Sequence, residues 1–149
     1  YGAAVLYPSI PDDFAYHNKS VWPVWQTPYM YAARQVGNIS AVEHMAASLT
    51  RASALFLTHK ENMTYDTGYD RGTALNSDRQ LWSVSSYISL VYRVLFGMNL
   101  TERGIAFNPV VPDMVNGWLS LSDFRYRDAT IDIKVSGKGN WLKSLKVNG

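Results

Sequence analysis

A chain of 149 residues with an apolar fraction of 47% and a charged fraction of 17% belongs to a folded globular protein, because disordered segments are poor in apolar residues and rich in charge. Lys and Arg number 14 against 12 Asp and Glu, without basic runs, so there is no electrostatic footprint for nucleic acid; no apolar stretch approaches the ~20 residues that span a membrane. The absence of cysteine excludes disulfides, thiolate metal sites and cysteine nucleophiles together, and leaves the compartment open, with export favoured over the cytoplasm.

Charge lies below the usual ~25%, while Trp, Tyr and Phe make up 13% of the chain. A surface that replaces charge with Tyr, Trp, Asn and Ser suits sugar binding, where flat rings stack on C–H faces. An aromatic-rich core accounts for the same composition. The sequence opens Tyr1-Gly2, without an initiator Met, and is expected to be a processed product or a piece of a longer chain.

Residues 1–20, with Pro8 and Pro11, read as irregular chain. A first helix is expected from about Val21 to Val36, stopped by Gly37-Asn38, with Pro28 either kinking it or marking its true first turn. A second begins at the capping box Ser40-Ala41-Val42-Glu43 and carries Val42, Met45, Ala46, Leu49 and Phe56 at helical spacing. A long loop, His59 to Asn76, leads to a third helix from about Asp78, its cap, to Phe96, before Gly97; loops of this length tend to be functional. After Met98 the period changes to two. Gly104–Pro109, Gly117–Tyr126, Ala129–Gly137 and Leu142–Val147 read as strands, with a hairpin turn at Gly137-Lys138-Gly139-Asn140. The division is therefore 1–98 helical and 99–149 β.

Few residues can do chemistry. Of the three glutamates, Glu43 belongs to the capping box and Glu102 sits beside Arg103. Glu61 lies in the long loop with Asn62, Tyr65 and Tyr69 near it in sequence and Trp82 opening the next helix, a setting for a general base. Spacing alone equally allows an ordinary exposed loop glutamate. Asp66 and Asp70 share the loop; Asp12-Asp13 reads as a solvated turn. His17, His44 and His59 form no metal pattern, there is no Gly-rich phosphate loop, and no cofactor is implied. Four Asn-x-Ser/Thr triplets, at Asn18, Asn38, Asn62 and Asn99, carry little weight in a chain rich in Ser and Thr.

Three segments carry a resemblance. Tyr16-His17-Asn18-Lys19-Ser20-Val21-Trp22-Pro23 resembles the Tyr-x-Asn-Gly-x-Val-Trp-Pro signature of glycosidases built as a six-hairpin α/α toroid, with Lys19 standing where Gly is usual. These include family 63 and mannosylglycerate-hydrolase-like enzymes and debranching-type glucosidases. Lys60-Glu61-Asn62-Met63-Thr64-Tyr65-Asp66-Thr67-Gly68 resembles their Glu-Asn-Tyr…Thr-Gly loop, and Gln80-Leu81-Trp82-Ser83-Val84-Ser85 resembles the opening of their last barrel helix. Val36-Gly37-Asn38 and Leu95-Phe96-Gly97-Met98 are similar to helix endings there. The resemblance implies a mainly α fold with a β tail: the last helices of an α/α toroid over 1–98, then strands of a β-sandwich over 99–149. It further implies hydrolysis of α-glycosidic bonds with inversion, Glu61 as general base, and Tyr16, His17, Trp22 and Trp82 binding the sugar. The acid, an Asp in these enzymes, would come from the N-terminal remainder of the same enzyme, so the chain is expected to act only as part of a larger protein. A non-catalytic carbohydrate-binding or scaffold piece is the rival expectation.

Overall fold

The computed structural model describes residues 1–11, 16–71, 73 and 75–147. The Asp12-Asp13 pair lies outside the described residues. The chain divides into two compact units, Tyr1–Val91 and Tyr92–Gly149.

The first strand of unit 1 is the two-residue β1 (Ser20–Val21). Helix α1 (Pro23–Gln35) follows at once. Pro23 sits in its first turn, where a missing N–H costs nothing, and the helix runs on through Pro28. It ends at Gly37, whose φ of +72° is the left-handed stop that glycine adopts without a Cβ clash. Helix α2 (Ile39–Phe56) starts immediately. Its cap is Asn38, whose side-chain oxygen accepts the Ala41 N–H at 3.1 Å. The expected cap, Ser40, lies already inside the first turn, because a three-residue link leaves Asn38 as the last non-helical residue. A second two-residue strand, β2 (Met63–Thr64), lies in the long loop. It pairs antiparallel with β1, Val21 opposite Met63 and Ser20 opposite Thr64.

Helix α3 (Leu81–Ser89) begins three residues later than expected. Residues 77–80 are occupied elsewhere. The Glu61 N–H donates to the Ser77 carbonyl at 2.9 Å and the Gln80 N–H to the His59 carbonyl at 2.8 Å. Asp78 accepts from Lys60 and does not cap the helix. Helix α1 packs against both α2 and α3. The β1–β2 pair sits on α2 through a fully buried cluster of Val21, Met63 and Ala52, with Phe56 against it. Met30, Val42 and Leu49 are also buried.

After α3 the chain passes through a π-helical stretch, Leu90–Leu95. Unit 2 then forms two antiparallel hairpins, β3 (Met98–Thr101) with β4 (Gly104–Phe107) and β5 (Trp118–Tyr126) with β6 (Ala129–Ser136). The turn that joins β5 and β6 is Arg127-Asp128, with Arg127 at φ +53°. The Gly137–Asn140 segment is not a hairpin turn: Gly139 exchanges both backbone hydrogen bonds with Val111, each at 2.9 Å. The Leu142–Val147 segment, expected as a strand, joins no sheet among the described residues. Val94, Phe96, Met98, Val110 and Val111 form the buried side of the unit.

This architecture corrects the expected fold. The chain is not the tail of an α/α toroid followed by a β-sandwich; the described residues form three α-helices and three small two-stranded antiparallel sheets. The physical reason lies in the connections. The α2–α3 loop, in place of a tight helical-hairpin turn, folds back to make β2. Among the described residues the strands of unit 2 pair only with their nearest neighbour in sequence, which leaves two separate two-stranded sheets.

The two candidate caps of α2 separate cleanly by mutation. Asn38→Ala removes the side-chain acceptor and is expected to cost ~1 kcal/mol, whereas Ser40→Ala, inside the helix, should be near neutral. Urea unfolding followed by circular dichroism checks this, and the reverse ranking would restore Ser40 as the cap.

Candidate functional site

The β1–β2 pairing sets residues 16–22 beside residues 59–65. A tight turn prepares the first segment. Lys19 takes a left-handed conformation, φ +54°, at the position where the resembling motif carries glycine. The Ser20 hydroxyl donates to the His17 carbonyl at 2.9 Å and accepts the Trp22 indole N–H at 3.0 Å. This stacks His17 on Trp22 at 4.9 Å and sets Tyr16 edge-on to both, with centroids 4.8 Å apart in each case.

Glu61 meets this aromatic cluster from the other segment. It is 8% exposed, and a carboxylate that deep needs hydrogen bonds to offset its lost hydration. Three donors supply them. Oε1 accepts from the Tyr16 hydroxyl, in a short contact, and from Gln80 Nε2 at 3.1 Å; Oε2 accepts the Ser77 backbone N–H at 2.8 Å. An ionised carboxylate offers about four lone-pair sites, and donors among the described residues take three of them.

The loop is clamped around the carboxylate. Asn62, fully buried, donates to the Leu75 carbonyl at 2.8 Å, and Asn76 donates to the Asn62 and Asp70 carbonyls at 2.7 and 3.1 Å. Lys60 pairs with Asp70 at 2.7 Å and also with Asp78; hydrogen bonding to Lys60 holds the Asp70 carboxyl below its ordinary range. Asn62 and Asn18 are buried and held by backbone partners, which removes both as glycan acceptors.

The sequence-predicted residues divide as follows. Tyr16, His17, Trp22 and Glu61 come together. Trp22 is 4% exposed, its rings covered by its neighbours, while His17 is exposed and Tyr16 half-buried, so these two present the cluster to solvent. Trp82 is 58% exposed in the first turn of α3, and no ring contact among the described residues joins it to the other three. Asp66 is exposed, and Asp70 is committed to Lys60. Sequence reasoning missed Gln80 and the Ser77 amide. Gln80 stood inside a motif read only as the start of a helix, and nothing in its spacing ties it to residue 61. Among the described residues no group of three His, Asp or Glu side chains can hold a metal ion.

Burial first, then the hydrogen bond to Glu61 and its charge, push the Tyr16 phenol up from 10.0 to about 12. Burial alone does the same for Tyr87, which packs on His59 at 4.6 Å. Tyr16 therefore remains a donor to Glu61 across the physiological range. Because the folded chain keeps these phenols protonated where the unfolded chain ionises them, their contribution is fully present below pH 10.0 and is lost as pH rises towards about 12. Tyr16→Phe should flatten the fall in stability between about pH 9 and about pH 11. Chemical denaturation at both pH values measures it, and an unchanged slope would remove Tyr16 from the account.

Compared with known proteins, the chain matches no family model, no curated protein and no solved structure.

Proposed function

We propose that unit 1 forms the base-bearing side of a site that hydrolyses α-glycosidic bonds, with Glu61 as general base. The observation that carries this reading is the convergence of a buried carboxylate and an aromatic cluster: the Tyr16 hydroxyl joins Glu61 to the Tyr16–His17–Trp22 rings. Stacked rings bind the apolar faces of a sugar, and an anchored carboxylate orients a water against it.

In this reading Tyr16, Gln80 and the Ser77 amide fix the carboxylate plane, and the open acceptor position takes one proton from water. The water oxygen attacks the anomeric carbon as the glycosidic C–O bond breaks. The leaving oxygen receives its proton from a carboxylic acid that the described residues do not include, contributed by the remainder of a larger protein. A base that holds a water in place of attacking the sugar inverts the anomeric centre and requires the two carboxyl groups to stand roughly 6.5–9.5 Å apart.

One observation favours a second reading, a carbohydrate-binding piece without catalysis. No second carboxylate among the described residues shares the Glu61 hydrogen-bond set. On that reading Glu61 would accept a sugar hydroxyl.

Glu61→Gln keeps the shape but cannot take the proton. In the full-length protein it should lower kcat about 10²–10⁴-fold with little change in KM. Asp66→Asn, on an exposed side chain of the same loop, is the control and should leave kcat near wild type. Sugar binding followed by tryptophan fluorescence, together with NMR of the first anomer released, completes the test. Retention of configuration, or wild-type kcat in Glu61→Gln, would overturn the base assignment. Saturable sugar binding without hydrolysis would establish the second reading.

A further inference from the structure

Unit 2 holds a feature unconnected to Glu61. A cavity of about 530 Å³ lies along β6 and the extended segment that follows it. That volume is within the roughly 300–1,000 Å³ of small-molecule sites. Its apolar surface comes from Phe96, Phe107, Val111, Ile133, Val135 and Leu142. β6 pairs only with β5 among the described residues, so its other edge carries no strand.

The polar lining has one sign. Lys134, Lys138, Lys143 and Lys146 all border the cavity, and no Asp or Glu does. Two of the four are engaged. Lys134 Nζ lies 4.3 Å from the centre of the Trp118 ring, and Lys138 donates to the Asp113 carbonyl at 2.7 Å with the Asp113 carboxylate 3.9 Å away. Lys143 and Lys146 are exposed on the segment that forms one wall. An apolar hollow bordered by the exposed Lys143 and Lys146 complements a molecule with an apolar body and one anionic end. A cationic molecule of the same shape meets repulsion from these two lysines, and a neutral one gains nothing from them.

We propose that this cavity binds an amphiphilic anion of the fatty-carboxylate class, the chain lying against Phe107, Ile133 and Leu142 and the carboxylate meeting Lys143 and Lys146. Binding then rests on two separable contributions. Burial of methylenes is indifferent to salt, while attraction between exposed charges is screened over ~10 Å at 0.1 M ionic strength.

The test is calorimetric titration of the full chain with laurate below its micelle-forming concentration. One saturable site is expected, with Kd falling about fourfold for each methylene added between octanoate and laurate. Raised salt should weaken laurate and leave dodecanol unchanged. Lys143→Ala/Lys146→Ala should weaken laurate roughly fivefold, the scale of two exposed charge contacts, and circular dichroism confirms that this surface variant stays folded. Amide shifts on laurate addition should fall in residues 133–146. Absence of saturable binding, equal affinity for dodecyltrimethylammonium, an unaffected lysine double variant, or shifts confined to residues 1–91 would each overturn the proposal.

Discussion

A carboxylate cannot be taken out of water without donors to replace the hydration it loses, and that requirement at Glu61 organises much of unit 1. Its three partners come from three places: the Tyr16 hydroxyl before β1, the Ser77 backbone amide in the loop, and the Gln80 side chain at the mouth of α3. Satisfying them closes the loop onto the residues before α1 and accompanies the backbone hydrogen bonds of Ser77 and Gln80 with Glu61 and His59. The late start of α3, the failure of Asp78 to cap it and the pairing of two two-residue strands all follow from this closure. Isolated pairings that short have no independent stability in water. They persist because Val21 and Met63 bury their side chains on Ala52 and Phe56 while the carboxylate network holds the loop beyond them.

How much of this was legible in the sequence depended on the range of the deciding interaction. The apolar stripe of α2, the left-handed stop at Gly37 and the alternation of β5 and β6 are local patterns, and each reads directly from a few neighbouring residues. The cap of α2 was displaced by two residues because Asn38 competes with Ser40 for the same role, and the short link between α1 and α2 decides in favour of Asn38. Tyr16 and Glu61 were both identified as chemically promising, but nothing in a separation of 45 residues shows that the phenol donates to the carboxylate. Gln80 was invisible for the same reason. Leu142–Val147 is expected as a strand, yet its Leu-Lys-Ser-Leu spacing breaks the alternation, and the segment has no partner edge among the described residues.

The fold-level expectation failed for a related reason. Motifs such as Tyr16–Pro23 and Lys60–Gly68 describe how a few residues arrange themselves, not how many helices surround them. The turn at Lys19, the anchored Glu61 and the aromatic cluster are compatible with many scaffolds, since sites recur on unrelated folds. Among the described residues they are held by three α-helices and a two-residue strand pair, with two further hairpins in the second unit.

Under the proposed reading, the geometry around Glu61 bears on catalysis as well as on folding. Were the residue only a structural clamp, a neutral amide in its place would keep the Tyr16 hydroxyl and Gln80 bonds through its oxygen, but would set its NH₂ against the Ser77 N–H, the donor to the other oxygen. A buried donor left unpaired costs about 1–3 kcal/mol. A purely structural role therefore predicts a loss of stability in Glu61→Gln and no separate effect on a chemical step. A base role requires something further, an acceptor site that no protein donor fills, and the count of three donors against about four lone-pair positions leaves one. The same carboxylate closes the loop through its three protein donors, and under the proposed reading it would meet water with the remaining lone pair. Measuring stability and kcat on a single Glu61 variant separates the structural role from the proposed one, because only a base role predicts a loss of kcat beyond the loss of stability.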